Sequence, residues 1–378
     1  QTFDLDGRWV PLYNLHKVLT GVIDATVYAE SALGRTIATE FVAWWIRVFA
    51  PISDADVDLI LRTESGGLAA SLARWADHTG DEDAATLAAR LAVRALWEPL
   101  AAGRDPLDGL HANAQIPLVV GHAVLARQGR GDEFAAAART FWESVTQHRT
   151  TVIGGNSVRE HFPPRDDWSS MFTAREGPET CNTVNMVELA RELYRLDGKL
   201  EHLAFIERAL SAHILSMQHP DHGGIVYFTS HRPGHHRVYS RSETGFWCCM
   251  GTGLEAPARF AASAFSTGPG QLDVNMLLGS RVQWGDAVVE IETERPFGDD
   301  ALLHVTVPNP GAFVVRVRVP EGVDAERVEA HIAGTVLGPG PDGWLRIDRE
   351  WHGRTTVRLV LPPVVRSTEA PDGSGGVS

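Results

Sequence analysis

Three segments of this 378-residue chain share one pattern, which constrains the fold more than any other feature of the sequence. Each contains two Ala/Leu-rich stretches with apolar residues at helical spacing, separated by a polar turn that contains glycine. The segments are WADHTGDEDAATLAARLAVRAL, LARQGRGDEFAAAARTFWESV and LYRLDGKLEHLAFIERALSAHI, with turns at Gly80, Gly131 and Gly198. Because helical hairpins bury their apolar faces against neighbouring hairpins, this pattern predicts a toroid of helix pairs.

Near residue 268 the spacing of apolar residues changes from helical to alternating. The later segments are short, rich in valine and separated by Gly, Pro or Asp, as in DAVVEIETERP, FVVRVRVPEG and TTVRLVLPP. We therefore expect a mainly α protein with a helical domain over residues 1–267 and an antiparallel β-sandwich over 268–365. Residues 366–378 have too little apolar content to order themselves, which predicts a disordered tail.

The charge balance excludes several classes of partner. The formal net charge is −14 and no Lys/Arg-rich run is present, so we expect no nucleic acid and no anionic membrane as a partner. No apolar run approaches the length of a bilayer span. The chain opens without an initiator Met or a signal segment, which favours a cytoplasmic protein, with export left open if the N-terminus has been trimmed. Oligomeric state cannot be inferred from the sequence.

The chain has three cysteines, and two of them are adjacent in GFWCCMGTGLE, residues 245–255. The third, Cys181, follows Glu179 in PETCNTVNM. With Cys248 and Cys249 these residues offer one oxygen and three sulfur ligands, a set that suits tetrahedral zinc. There is no Cys-x-x-Cys pair, and free cysteines are commonly buried in protein cores. Spacing alone supports a zinc site and a set of core cysteines about equally.

Glu160 lies in the Gly-rich stretch GGNSVREHF, residues 154–162. A carboxyl group held near an apolar wall can keep a raised pKa and act as a general acid and then as a general base. A solvated carboxylate on a loop is the simpler interpretation of this residue taken by itself.

Six strings of the chain resemble, in order, the landmarks of the β-L-arabinofuranosidase families, glycoside hydrolase family 127 and its relative family 146. They are WVPLYNLHKVLTGVIDA, DPLDGLHANAQIP, HRTTVIGGNSVREHF, ETCNTVNM, RPGHHRVYS and FWCCMGTGLE. The resemblance covers nearly the whole chain. It implies an (α/α)6 barrel followed by β-sandwich modules, a zinc ion held by one Glu and three Cys, and a cysteine nucleophile in place of the usual second carboxylate.

The resemblance also implies a role for individual residues. The zinc ligands would be Glu179, Cys181, Cys248 and Cys249. Cys248 would be the nucleophile and Glu160 the acid/base. His16 and His111 resemble histidines that line the sugar pocket, with a role in helix packing as the alternative. Trp247 is a candidate apolar platform for the sugar, and it too has packing as its alternative.

The implied activity is retaining hydrolysis that releases β-L-arabinofuranose or a related pentose from glycans or oligosaccharides. Residues 64–70 read ESGGLAA where the family often reads EFGGMNE, and relatives carry a further stretch before the first landmark, so the barrel is expected to lack an N-terminal portion. Two alternatives follow from these departures. One is a catalytically impaired sugar-binding relative, and the other is a helical toroid with a structural zinc site.

Overall fold

A computed structural model of the protein describes residues 10–241, 243–294 and 298–377. The first nine residues of the predicted helical domain, including Trp9 of the first landmark string, lie outside the described residues, as does Ser378 of the predicted tail. Within the described ranges, a helical region ends at Ala264 and a strand-rich region begins at Phe265. The predicted order of a mainly helical part and then a sheet-rich part is therefore confirmed.

Twelve α-helices form the first region of the described chain. They are α1 (Pro11–Tyr28), α2 (Ala32–Phe49), α3 (Asp54–Ile60), α4 (Leu68–Thr79), α5 (Glu82–Arg90), α6 (Arg94–Ala101), α7 (Ala112–Arg127), α8 (Asp132–His148), α9 (Ser169–Thr173), α10 (Thr180–Asp197), α11 (Leu200–Ala212) and α12 (Cys248–Ala264). The three predicted hairpins are α4–α5, α7–α8 and α10–α11. Gly80 and Gly198 end α4 and α10 in the left-handed conformation that glycine adopts without strain.

The helices alternate between an inner and an outer ring. Helices α1, α4, α7, α10 and α12 pack in sequence beside one another and line an axial cavity. Helices α2, α5, α8 and α11 pack outside them. The described residues thus supply five inner and four outer helices in the arrangement of an (α/α) barrel. Helix α7 lies between α4, α8 and α10, which explains why its sequence is apolar on nearly every side.

Two apolar clusters stabilise the barrel. One joins α1, α2, α4 and α5 around Trp45, and the other joins α7, α8, α10 and α11 around Phe141. Each such fully buried large side chain contributes about 1.5–3 kcal/mol to the free energy of unfolding. No helix among the described residues is long and apolar enough to cross a bilayer.

Ten strands form the second region. They are β1 (Phe265–Gly268), β2 (Gln271–Val274), β3 (Ser280–Trp284), β4 (Ala287–Thr293), β5 (Asp300–Thr306), β6 (Gly311–Arg318), β7 (Glu329–Ile332), β8 (Thr335–Leu337), β9 (Trp344–Trp351) and β10 (Arg354–Val360). Their orders are β1-β2-β6-β9 in one sheet and β3-β4-β5-β10-β7-β8 in the other. Pairing is antiparallel except between β2 and β6, which run parallel. Alternating Val, Leu and Ile side chains from both sheets form one core.

Residues after the last strand contact the N-terminus of α9. The Asp372 Oδ2 atom accepts hydrogen bonds from the backbone N–H groups of Trp168 and Ser169, at 2.8 and 2.7 Å. The domain limits at 267 and 365, and the disorder of the tail, stay predictions.

Candidate metal and catalytic site

Four residues from two helix N-termini meet at one end of the barrel. Glu179 immediately precedes α10 and Cys181 lies in its first turn, whereas Cys248 and Cys249 are the first two residues of α12. Successive residues on a helix point about 100° apart, so the two adjacent cysteines face different surroundings. Cys249 is fully buried and Cys248 is exposed.

The four predicted ligands come within bonding range of a single ion. The Cys249 Sγ atom lies 3.3 Å from the Cys181 Sγ atom and 3.4 Å from Glu179 Oε1, and the Cys248 Sγ atom lies 3.8 Å from Glu179 Oε1. One ligand atom from each residue lies within 4.8 Å of all the others. The cysteines are free thiols, and the second carboxylate oxygen of Glu179 is buried without a hydrogen bond. This cluster could therefore hold a metal ion.

Burial and mutual contact make the four groups titrate differently. Burial, together with the neighbouring Cys248 sulfur, raises the pKa of Glu179 to about 8. Hydrogen bonds from Cys181 and Cys249 lower the pKa of the Cys248 thiol, while burial raises the pKa of Cys249. Two helix N-termini directed at the sulfurs further favour a thiolate. Negative charge accordingly concentrates on Cys248, the exposed sulfur.

The loop that carries Glu160 is held in an unusual backbone conformation. Ser157, Arg159 and Glu160 all have positive φ angles, of 78°, 49° and 70°, which cost free energy for residues other than glycine. Hydrogen bonds offset this cost: the carbonyl of Glu160 accepts from Ala112 N–H at 2.8 Å, and Arg159 N–H donates to the Glu176 carbonyl at 2.9 Å. Such strain is common at functional sites.

Tyr227 links the two predicted catalytic residues. Its hydroxyl donates a hydrogen bond to Glu160 Oε1 and lies 3.6 Å from the Cys248 Sγ atom. Burial and the hydrogen bond to Glu160 raise the pKa of Tyr227, so the hydroxyl stays protonated and remains a donor. The carboxyl of Glu160 is thereby oriented toward the exposed sulfur of the cluster.

The two histidines occupy different positions. His111 precedes α7, and a ring nitrogen lies within 4.8 Å of carboxylate oxygens of Glu160 and Glu179. Its Nδ1 atom is 3.6 Å from Glu64 Oε1. His16 lies beside the axial cavity, where burial lowers its pKa to about 3. Its Nδ1 atom has no hydrogen-bond partner among the residues that the structure describes.

The first glycine of ESGGLAA, Gly66, is explained by the position of His16. A Cβ atom at Gly66 would lie 2.4 Å from His16 Cε1, and Gly66 has a φ of 61°. Only glycine allows the His16 ring to approach so closely.

Trp247 lies at the rim of the site. It is 48% exposed, and its ring centroid is 6.1 Å from that of Tyr227. The preceding Phe246 is 83% exposed. The structure therefore places an aromatic surface next to the exposed cysteine, with Trp247 only partly engaged in packing.

Three residues of the site were missed by the sequence analysis. Tyr227 lies in a loop stretch whose backbone pairs with the residues around Glu179, since Thr180 N–H donates to the Tyr227 carbonyl at 3.0 Å. The apolar run IVYF inside a polar loop was the available signal. Tyr13 is one turn before His16 on α1, and Thr252 places its Oγ1 atom 3.1 Å from the Cys181 Sγ atom.

Comparison with solved structures gives the class of the fold. A GH127 β-L-arabinofuranosidase from Geobacillus stearothermophilus T6 superposes with a TM-score of 0.76 at 18% identity, over 98% of this chain and 65% of that one. A GH127 β-arabinofuranosidase matches with a TM-score of 0.77 at 17% identity, over 98% of this chain and 64% of that one. The fold is that of glycoside hydrolases with a helical barrel and an appended sandwich.

The family follows from matches to sequence profiles. The β-L-arabinofuranosidase GH127 catalytic domain matches residues 1–262, and the GH127 middle domain matches residues 271–363. The chain belongs to the GH127 β-L-arabinofuranosidase family. It spans about two thirds of the length of the solved structures named above. A search of curated proteins finds no match.

Proposed function

We propose that this protein is a retaining glycoside hydrolase that releases β-L-arabinofuranose or a related pentose from glycans. The proposal depends chiefly on one observation: Cys248 offers the exposed sulfur of the cluster, and the Tyr227 hydroxyl lies between that sulfur and Glu160. A nucleophile and an acid/base are thus adjacent and share one hydrogen-bonding group. Membership of the GH127 family supports the sugar and the linkage.

Zinc is the proposed cofactor. Three sulfurs and one carboxylate match its ligand preference, and the orphaned buried oxygen of Glu179 fits a group that neutralises it. Glu179, Cys181, Cys248 and Cys249 would hold the ion. When bound, zinc supplies positive charge that keeps the coordinated thiols ionised at neutral pH.

In the first half of the proposed reaction, Glu160 and Cys248 act on opposite ends of one bond. The Cys248 sulfur attacks the anomeric carbon, the bond between that carbon and the glycosidic oxygen breaks, and Glu160 gives its proton to the leaving oxygen. The product is a thioglycoside of Cys248 and a free alcohol. Tyr227 keeps the Glu160 carboxyl oriented during this transfer.

In the second half, Glu160 acts as the base. It takes a proton from a water molecule whose oxygen adds to the anomeric carbon, and the bond from that carbon to the Cys248 sulfur breaks. The free sugar leaves with two inversions at the anomeric carbon, which amounts to net retention. Glu160 and Cys248 return to their starting protonation states.

Four residues around this centre are proposed to bind the sugar. His111 and Glu64 present a ring nitrogen and a carboxylate beside Glu160, both able to hydrogen-bond to hydroxyl groups. Trp247 offers a partly exposed ring for the apolar face of the sugar. His16 contributes from the axial cavity.

The test is hydrolysis of p-nitrophenyl β-L-arabinofuranoside by the zinc-loaded, reduced protein, beside Cys248→Ser and Glu160→Gln. Both variants should lose turnover by roughly 10²-fold or more, because each removes a group that reacts directly. The matched control is Glu176→Gln, an exposed carboxylate on the same loop that pairs with Arg159 at 3.6 Å. Its activity should stay within about twofold of wild type.

Mass spectrometry and metal analysis decide between this function and its alternatives. A sugar adduct on Cys248, with about one zinc per chain, supports the proposal. Full zinc occupancy and pentoside binding without turnover would instead identify a sugar-binding relative. Zinc without sugar affinity would leave only a structural site.

A further inference from the structure

A cleft of about 480 Å³ adjoins the catalytic site. It is formed by loop 61–65, the beginning of α6, the loop before α7 and the first turns of α7. The cleft is separate from the axial cavity, which is about 120 Å³ and extends to Arg74 and Arg259. Two residues border both the cleft and the catalytic site. The other residues of the cleft take no part in the reaction described above.

His111 and Glu64 are the residues that border both the cleft and the site. The His111 ring lies within 4.8 Å of the Glu160 and Glu179 carboxylates, and its Nδ1 atom is 3.6 Å from Glu64 Oε1. The next residue, Ala112, donates its N–H to the carbonyl of Glu160 at 2.8 Å. The cleft therefore begins next to the acid/base.

That position determines which part of a substrate the cleft can reach. A general acid must lie within hydrogen-bonding distance of the oxygen that it protonates, and here that oxygen joins the released pentose to the rest of the glycan. The group attached to the far side of that oxygen consequently lies next to Glu160, where the cleft begins.

The lining of the cleft suits a neutral sugar ring. Arg62, Glu64 and Gln115 supply donors and acceptors for hydroxyl groups, and Leu96 and Leu110 supply apolar surface for the ring C–H groups. Among the described residues, the Gln115 amide makes one long hydrogen bond, 3.5 Å, to the His111 carbonyl, which leaves it able to bind a ligand. Arg62 is exposed to solvent at the rim.

We infer that this cleft is the subsite for the sugar on the leaving-group side of the scissile bond, and that Gln115 and Ala114 determine the preference for a glycosylated leaving group. The inference rests on the proposed hydrolase function and adds the position of the second sugar. Cleavage of a disaccharide uses the cleft, whereas cleavage of a glycoside with a very small leaving group does not.

The experiment compares two substrates in the same zinc-loaded proteins. One is methyl β-L-arabinofuranoside, and the other is a disaccharide in which the same pentose is linked to a second L-arabinofuranose. Ala114→Trp fills the cleft from the first turn of α7, and Gln115→Leu removes its amide while keeping its size. In both variants kcat/KM for the disaccharide should fall by about tenfold or more, and kcat/KM for the methyl glycoside should stay within about twofold.

A folding defect would lower kcat/KM for both substrates, so unchanged cleavage of the methyl glycoside shows that the variant is folded. Two different substitutions are used so that the test does not depend on one of them folding. Equal loss on both substrates, or no loss on either, would overturn the subsite and leave the hydrolase function standing. A wild-type protein that cleaves neither substrate, despite a full metal site, would refute the hydrolase function and the subsite with it.

Discussion

At the level of single residues, Tyr227 has the most distinctive environment in the site. Its hydroxyl contacts both predicted catalytic groups, and its pKa is raised by burial, so it can only donate to Glu160. The Tyr227→Phe variant should lower kcat/KM by roughly 10- to 100-fold, because the carboxyl of Glu160 loses the group that orients it. Metal content should not change, since Tyr227 is not a predicted ligand.

The matched control is Tyr239→Phe. Tyr239 packs edge-on against His219 at a ring separation of 4.9 Å and makes no hydrogen bond to either catalytic residue among the described contacts. Activity in this variant should equal that of wild type. If Tyr227→Phe also kept full activity, the link from Tyr227 to Glu160 would have no catalytic role.

A second prediction at this scale concerns a buried histidine outside the site. His122 is fully buried on α7 and stacks on Phe134 at 5.6 Å. Within the described part of the chain, neither ring nitrogen has a hydrogen-bond partner. Burial lowers its pKa to about 3 from 6.5. Below pH 6.5 the unfolded chain binds a proton that the folded protein does not, so acid favours unfolding. Between pH 6.5 and pH 5 this one group costs about 2 kcal/mol of stability.

Urea unfolding at pH 7 and pH 5 tests this prediction. The loss of stability on acidification should be smaller in His122→Leu than in wild type by about 2 kcal/mol, while the exposed control His236→Leu should keep the wild-type loss. Equal losses in all three proteins would show that His122 takes up its proton without unfolding.

The sequence predicted the ligands of the cluster and the catalytic pair, but not the residues that connect them. Cysteines and motif glutamates are recognisable by type, since few residues serve as soft ligands or acids. Tyr227 and Thr252 reach the cluster only through contacts made by the tertiary fold. For Tyr227 the apolar run IVYF is a local signal, but it does not specify those contacts. The different burial of Cys248 and Cys249 likewise depends on α12 beginning at that pair.

At the level of elements, the hairpins were predictable because amphipathic spacing and terminal glycines are local properties. Helices α7 and α12 continue through Pro117 and Pro257, where local rules would place a break. Strands β7 and β8 are too short to show a clear alternation. The loop of Glu160 was unpredictable in shape, since its positive φ values are imposed by hydrogen bonds from distant segments.

Arg149 fixes the beginning of that loop. Its fully buried guanidinium donates to Asp105 Oδ2 at 2.8 Å, to Asp108, and to the carbonyl of Pro163 at 2.9 Å. The Arg149→Met variant should lose roughly 3–5 kcal/mol of stability, because the two aspartates and the Pro163 carbonyl lose the buried donor that joins them. The measurement is urea unfolding, with the exposed Arg104→Met as the control.

Arg149→Lys distinguishes charge from geometry. An ammonium group keeps the charge but cannot donate in three fixed directions, so the lysine variant should recover only part of the lost stability. Full recovery would mean that charge alone holds the loop.

At the level of the whole molecule, the proposed metal joins helices that are far apart in the chain. Its ligands come from the N-termini of α10 and α12, which are separated by α11 and the loop that carries Tyr227. A metal present at a thousand times its Kd stabilises the fold by about 4 kcal/mol, so chelation should lower Tm by several degrees. Calorimetry with and without a chelator measures this shift.

Proton release provides an independent check on the same centre. The pKa of Glu179 is raised to about 8, so the metal-free protein holds a proton there at neutral pH. Metal binding must displace it, and affinity should therefore fall as pH drops below 8. Titration calorimetry in buffers of different ionisation enthalpy counts the released protons, which include those of the thiols. The Glu179→Gln variant should release about one proton fewer than wild type, and equal release would contradict the ligand role of Glu179.

The barrel and the sandwich share a buried interface, which determines how the molecule unfolds. Arg318 of β6 is 2% exposed, donates to the Asn275 carbonyl at 2.7 Å, and pairs with Glu207 of α11. Trp344 of β9 lies in the same apolar cluster as α11. Since separating the two regions would leave a charge and an aromatic ring without partners, helical circular dichroism and tryptophan fluorescence should report one shared unfolding transition.

The Glu207→Ala variant should lower the free energy of unfolding by roughly 3–5 kcal/mol, because it leaves the buried Arg318 without its ion-pair partner. Adding Arg318→Met should recover part of the loss. Two separate transitions in the wild-type protein would show instead that the regions fold independently.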